Sequence, residues 1–143
     1  MLAQNSNTAL EAQGSLPVQS KKSAARVLVV DDERLVRWSV TEALRARGFE
    51  VLEAGDAAST IRAFHRQCDL VLLDLHLPDA NDLRVLSLIR AQAPSLPVIV
   101  MTAFSTREIV EEAAALGAPV INKPFDLDDL TRTVERTLDG RVY

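Results

Sequence analysis

The chain is short of most features that small proteins use to staple themselves or to bind the commonest partners. It has one cysteine, Cys68, among 143 residues. A lone thiol closes no intramolecular disulfide, so the fold must rest on its core, and a reducing, cytoplasmic setting fits best. No apolar run approaches the ~20 residues that span a bilayer. Residues 1–20 also lack the basic start and apolar stretch of a secretion signal. Positive charge is not in excess: 16 Lys+Arg stand against 20 Asp+Glu, a formal net charge of -4. The overall basic charge that drives non-specific DNA binding is therefore missing, and neither nucleic acid nor membrane is an expected direct partner. What remains is ordinary globular composition, 48% apolar and 25% charged, in a length that suits one domain.

Two unequal parts can be read along the chain. Residues 1–23 are rich in Gln, Ser, Ala and Asn without apolar periodicity, which predicts a disordered N-terminal extension. Residues 24–143 form the folded domain, with strand and helix signals in strict alternation. Apolar runs at 26–30 (RVLVV), 50–54, 70–73 (LVLL), 97–101 (PVIVM) and 120–122 read as strands. Helices are expected at 35–47, 56–66, 83–93, 105–117 and 126–138. Asp56 and Asp126 are suited to cap two of them. Ser105-Thr106-Arg107-Glu108 has the form of a capping box, and Gly117 that of a left-handed stop. Continuous rather than alternating apolar strands mean burial on both faces, hence a parallel sheet. The expected fold is α/β and flavodoxin-like, with strand order 2-1-3-4-5 and five flanking helices.

In such sheets, sites form beyond the carboxyl ends of the strands. Strand 1 ends in Asp31-Asp32-Glu33, strand 3 in Asp74, strand 4 in Thr102 and strand 5 in Lys123-Pro124. Carboxylates this close raise one another's pKa unless a cation joins them. Hard oxygen donors with no His or Cys cluster suit Mg²⁺. An ammonium and a hydroxyl beside them complete a pocket for a phosphoryl group, with Asp74 as the carboxylate nucleophile. A cis Lys123-Pro124 bond, inexpensive only before proline, would turn the lysine back into the site.

These elements resemble the receiver domain of bacterial response regulators, the phospho-accepting module of two-component and phosphorelay signalling. The resemblance covers about residues 24–138 through VLVVDDE (27–33), DLVLLDLHLP (69–78), VIVMTA (98–103) and NKPF (122–125). The stretch VDDERLVRWSV (30–40) is most similar to receivers of the nitrogen-regulator group. The resemblance implies Asp74 as phospho-acceptor, Asp32 as direct Mg²⁺ ligand, Asp31 acting largely through water, and the backbone carbonyl of His76 as a further ligand. Thr102 matches the switch hydroxyl and Lys123 the lysine that contacts the phosphate. A sensor histidine kinase or a histidine phosphotransfer protein would be the donor. No enzymatic turnover is expected beyond self-phosphorylation from a phosphodonor and self-dephosphorylation.

Three departures from the family pattern stand out. Asp82 replaces a glycine eight residues after the acceptor. Val120 replaces an aromatic three residues before the lysine. The segment from Gly117 to Lys123 is one residue shorter than the common form. Without a ring at Val120, Phe104 is the aromatic expected to move in the switch. Only residues 139–143 follow the last helix, so a stand-alone receiver acting through an unidentified output protein is expected, or else a receiver fragment of a longer transcriptional regulator. A phosphatase of the haloacid-dehalogenase type would want an Asp where His76 stands. A nucleotide or flavin module would want a Gly- or Ser/Thr-rich loop where Asp31-Asp32-Glu33 stand. Among the remaining residues, Cys68 is expected as a buried inert thiol, His65 on a solvated face and Trp38 partly in the core. Arg34, Arg37, Arg45 and Arg47 are expected to be solvated.

Overall fold

The computed structural model describes residues 24–140; the extension read over residues 1–23 lies outside the described residues. Among the described residues, five strands alternate with five helices: Arg26–Val30 (β1), Arg34–Ala46 (α1), Glu50–Ala54 (β2), Ala57–Phe64 (α2), Leu70–Asp74 (β3), Arg84–Gln92 (α3), Val98–Thr102 (β4), Arg107–Ala115 (α4), Val120–Asn122 (β5) and Leu127–Asp139 (α5). All strand pairs are parallel, in the order β2-β1-β3-β4-β5. This is the expected flavodoxin-like arrangement.

The period-2 geometry of a strand sends alternate residues to opposite faces. Val27, Val29, Leu70, Leu72, Ile99 and Met101 pack with Val40 and Leu44 of α1 and with Leu130 and Val134 of α5. Their neighbours Leu28, Val30, Val71, Leu73, Val98 and Val100 pack on the other face with Phe64, Val85, Leu86, Ile89 and Ala113. Both faces of β1, β3 and β4 are thus covered, which is why their sequences are apolar without alternation. The edge strands β2 and β5 are more open.

Helix ends follow local chemistry. Asp56 accepts from the Ser59 N–H at 2.7 Å, and Asp126 accepts from Asp128 and Asp129. α4 starts one residue later than the capping box implies. Thr106, not Ser105, caps it by accepting from Ile109 N, while the Ser105 hydroxyl donates to Asn122 Oδ1. Gly117 takes a φ of 72°, the left-handed stop expected of it. α2 ends at Phe64, short of residue 66, because the Arg66 N–H turns back to Ala63 and Gln67 enters the left-handed region at φ 61°.

Trp38 is a correction: it is 59% exposed. The buried stripe of α1 runs through Val40, Thr41 and Leu44, and Trp38 lies two residues, about 200° of helix rotation, from Val40. Leu35 is 75% exposed in the first turn. Two arginines are also less free than expected. Arg37 pairs with Glu53 at 3.1 Å, and Arg47 joins α1 to α5 through Glu135 at 2.8 Å and Asp128 at 3.6 Å. Cys68 is part-buried, bonds the Phe64 carbonyl through sulfur, and has its thiol pKa pushed up to about 11 by burial. His65 is exposed, stacked on Phe64.

Candidate functional site

Strand register assembles the site. β1 pairs Val30 with Leu73 of β3, so the next residues on the two strands, Asp31 and Asp74, lie side by side. Both continue the alternate positions that face α1 and α5. β5 pairs Asn122 with Thr102, which places Lys123 one step beyond. The Lys123-Pro124 bond is cis, and the lysine ammonium lies 2.6 Å from Asp31 Oδ2, 3.3 Å from Asp74 Oδ2 and 3.4 Å from Glu33 Oε1. Its contact with the fully buried Asp31 is the shortest of the three.

The carboxylates are held by backbone donors. Glu33 N–H donates to Asp31 Oδ1 at 2.9 Å, and His76 N–H donates to Asp74 Oδ1 at 3.0 Å. Asp31 is fully buried and Asp74 is 2% exposed, whereas Asp32 is open to solvent. Burial, aided by the Asp31 charge, pushes the Asp74 carboxyl up to about 6 against the opposing pull of His76 N–H and Lys123. For Lys123, burial favours the neutral amine, but Asp31 and Asp74 outweigh it and the net shift is upward. The site therefore holds an acid of reduced acidity against a firmly charged ammonium.

Asp31, Asp32 and Asp74 each offer a carboxylate oxygen within 4.8 Å of the others. An all-oxygen, acidic donor set of this size suits a hard divalent cation such as Mg²⁺. Thr102 is fully buried at the end of β4. It continues the alternate positions that face α2, α3 and α4, and its Oγ1 accepts from Phe104 N at 3.1 Å. Among the described residues no hydrogen bond ties it to Asp74. The His76 ring meets Phe104 edge-on at 5.0 Å, and its Nε2 is enclosed without a hydrogen-bond partner. Phe104 itself is 67% exposed. Val120 is part-buried and packs on the α2–α4 side of the sheet.

Three contributors escaped the sequence reading. Glu33 reaches the lysine, although it was read only as part of a motif. Arg37 donates to the Asp31 carbonyl at 2.5 Å, one helical turn beyond Glu33, and a Cβ on Gly55 would approach that guanidinium to 3.1 Å. Asp79 reaches from the loop after β3 to the start of α2. Only the Arg37 spacing was a readable signal; the other contacts join segments far apart in sequence.

The family model for the response regulator receiver domain matches residues 27–135. The chain is 40% identical over 122 residues to the DNA-binding transcriptional regulator NtrC of Azospirillum brasilense, covering 84% of this chain and 25% of that protein. It is 37% identical over 113 residues to the transcriptional regulatory protein PdtaR of Mycobacterium tuberculosis, covering 77% of this chain and 55% of that one. The chain thus spans about a quarter to about half of the curated relatives it matches. Among solved structures, the receiver domain of NtrX from Brucella abortus superposes with a TM-score of 0.72 at 36% identity, covering 79% of this chain and 98% of that one. A CheY-like receiver domain protein from Methanospirillum hungatei gives 0.79 at 28% identity, with 82% and 96% covered. The strand order, the acid cluster at the sheet edge and the match over residues 27–135 agree: the chain belongs to the response regulator receiver domain family.

Proposed function

We propose that Asp74 takes a phosphoryl group from the phosphohistidine of a sensor histidine kinase or a histidine phosphotransfer protein, and that the resulting aspartyl-phosphate switches binding of an output protein. The observation that carries this is the convergence of Lys123 on Asp31 and Asp74 at the mouth of the sheet. The ionised Asp74 carboxylate attacks phosphorus. The bond from phosphorus to the donor imidazole breaks as the new P–O bond forms, and the imidazole leaves with its electron pair and takes a proton. His76 N–H orients Asp74 Oδ1, and the Lys123 ammonium stabilises negative charge on the transferring group. Asp31, Asp32, Asp74 and the His76 carbonyl are the residues to hold Mg²⁺, which when bound supplies further charge neutralisation to the phosphoryl oxygens. Thr102 then turns to donate its hydroxyl to the phosphoryl group, which releases the bond it accepts from Phe104 N. Hydrolysis of the acyl phosphate returns the carboxylate, so the chain is a switch rather than a turnover enzyme. Its place of action is the cytoplasm, in keeping with the single thiol and with the lack, among the described residues, of a helix able to cross a membrane.

Intact mass after incubation with acetyl phosphate tests the reading. One phosphoryl group is expected with Mg²⁺ and none after chelation. Asp74→Asn is expected to take up nothing, and Asp32→Ala to need more Mg²⁺. Normal labelling of Asp74→Asn contradicts the assignment.

A further inference from the structure

We infer that Asp79 is a positioning residue for the metal and phosphoryl site: by clamping the loop after β3 onto the start of α2, it fixes the backbone of His76. This rests on the site reading above.

The first N–H groups of a helix have no partner within it. In α2 they are shared between two aspartates. Asp56, next to the helix in sequence, accepts from Ser59 N. Asp79, more than twenty residues away, accepts from Ala57 N at 2.7 Å with one carboxylate oxygen and from Ala58 N at 3.1 Å with the other. Its negative charge also suits the positive end of the helix dipole. With only its own cap, α2 would leave two donors to solvent. The loop from the acceptor strand satisfies them.

That loop is stiff on either side of the clamp. His76 N–H holds Asp74 Oδ1. Leu77 and Ala80 exchange both backbone hydrogen bonds, at 3.0 and 3.3 Å, closing a tight turn that contains Asp79. The side chains of Leu75 and Leu77 are buried. Asp82 accepts from Arg84 N at 2.9 Å and pairs with the Arg84 guanidinium at 3.1 Å, which ties the loop's far end to α3. A turn so closed moves as a body, so the tip residue Asp79 and the site residue His76 cannot shift independently. Releasing Asp79 frees the segment whose amide holds Asp74 and whose carbonyl is assigned to Mg²⁺.

The two aspartates on α2 provide the test. Asp79→Ala and Asp56→Ala both remove a cap from the same helix, but only the first unfastens the acceptor loop. Mg²⁺ is titrated into the full chain without phosphodonor and followed by the amide shifts of Asp74 and His76. The rate of labelling by acetyl phosphate against Mg²⁺ is a second readout. Half-saturating Mg²⁺ is expected to rise about three- to tenfold in Asp79→Ala, at or below the roughly 10- to 100-fold seen when a ligand's direct support is lost. Saturating Mg²⁺ restores labelling. Asp79→Asn, which keeps one acceptor oxygen, falls between Ala and wild type and serves if the Ala variant unfolds. Asp56→Ala stays within about twofold of wild type. Unchanged Mg²⁺ affinity in Asp79→Ala, or an equal loss in Asp56→Ala, overturns the inference. If Mg²⁺ moves no site amide even in wild type, the site reading itself fails and this inference falls with it.

Discussion

Asp74 has a carboxyl group whose charge the fold resists, since burial raises its pKa to about 6. Because the folded-state value lies above the ordinary carboxylate range, its contribution to stability is greatest at low pH, below the unfolded value near 4. It is lost as pH rises through about 6. Asp74→Asn removes that cost. The variant is expected to be more stable than wild type by about 1–2 kcal/mol at pH 8, allowing for solvent at the mouth of the site, and nearly equal to it at pH 4. Urea unfolding of both chains at the two pH values, without Mg²⁺, checks the sign; a gap that widens toward low pH contradicts it. Phe104 is expected to act at the same scale on a phosphorylated form. Its ring stands beside His76, two residues beyond Thr102, and cannot orient an attacking water as a carboxylate can. Phe104→Glu is expected to shorten the lifetime of the phosphorylated form by about tenfold or more, read as loss of the phosphorylated mass with time. An unchanged lifetime contradicts a role for Phe104 in slowing hydrolysis.

At the scale of elements, Val120 and Thr102 differ in what they could offer a conformational switch. A phosphoryl group biases an equilibrium only through contacts that differ between the two states. Val120, β-branched and packed on the α2–α4 face, has few rotamers to offer. Thr102, by contrast, accepts from Phe104 N, and turning its hydroxyl to donate to a phosphoryl oxygen would release the loop that leads straight into α4. The far end of α4 is tied down. The Arg90 guanidinium reaches the carbonyls of Leu116 and Gly117, and those of Ala93 and Leu96 below α3. Motion is therefore expected at Phe104–Val110 and not at Leu116. Amide shifts with and without beryllofluoride, a phosphoryl mimic, are expected to be largest away from the site in that stretch. Dominant changes on β5 and α5, with the start of α4 still, contradict this route. The sequence made β1, β3 and β4 plain, because strands covered on both faces must be apolar throughout. Helix detail was harder. Trp38 and Leu35 are apolar side chains that lie off the stripe of Val40, Thr41 and Leu44, so residue type alone misplaces them. Ser105 and Thr106 are both good caps, and the choice between them depends on Asn122, a partner on another strand.

The whole molecule is a parallel sheet with two apolar faces and one chemical edge, and register links the two. The same period of two that sends Val27 and Val29 toward α1 and α5 sends Asp31 there as well, next to Asp74. This is why Asp31, Asp74 and Lys123 could be singled out from the ends of apolar runs before any coordinates. Asp79 could not be, since its role lies in a contact made only once the layers close. Placing the phosphoryl group on one named residue is the central claim. Borohydride reduction after treatment with acetyl phosphate and Mg²⁺ converts an acyl phosphate to an alcohol, which turns a phosphorylated aspartate into homoserine. Peptide mass analysis is expected to find homoserine at position 74 and nowhere else. Homoserine at position 31 or 32, or intact aspartate at 74 in a chain that carries the phosphoryl mass, would contradict the account.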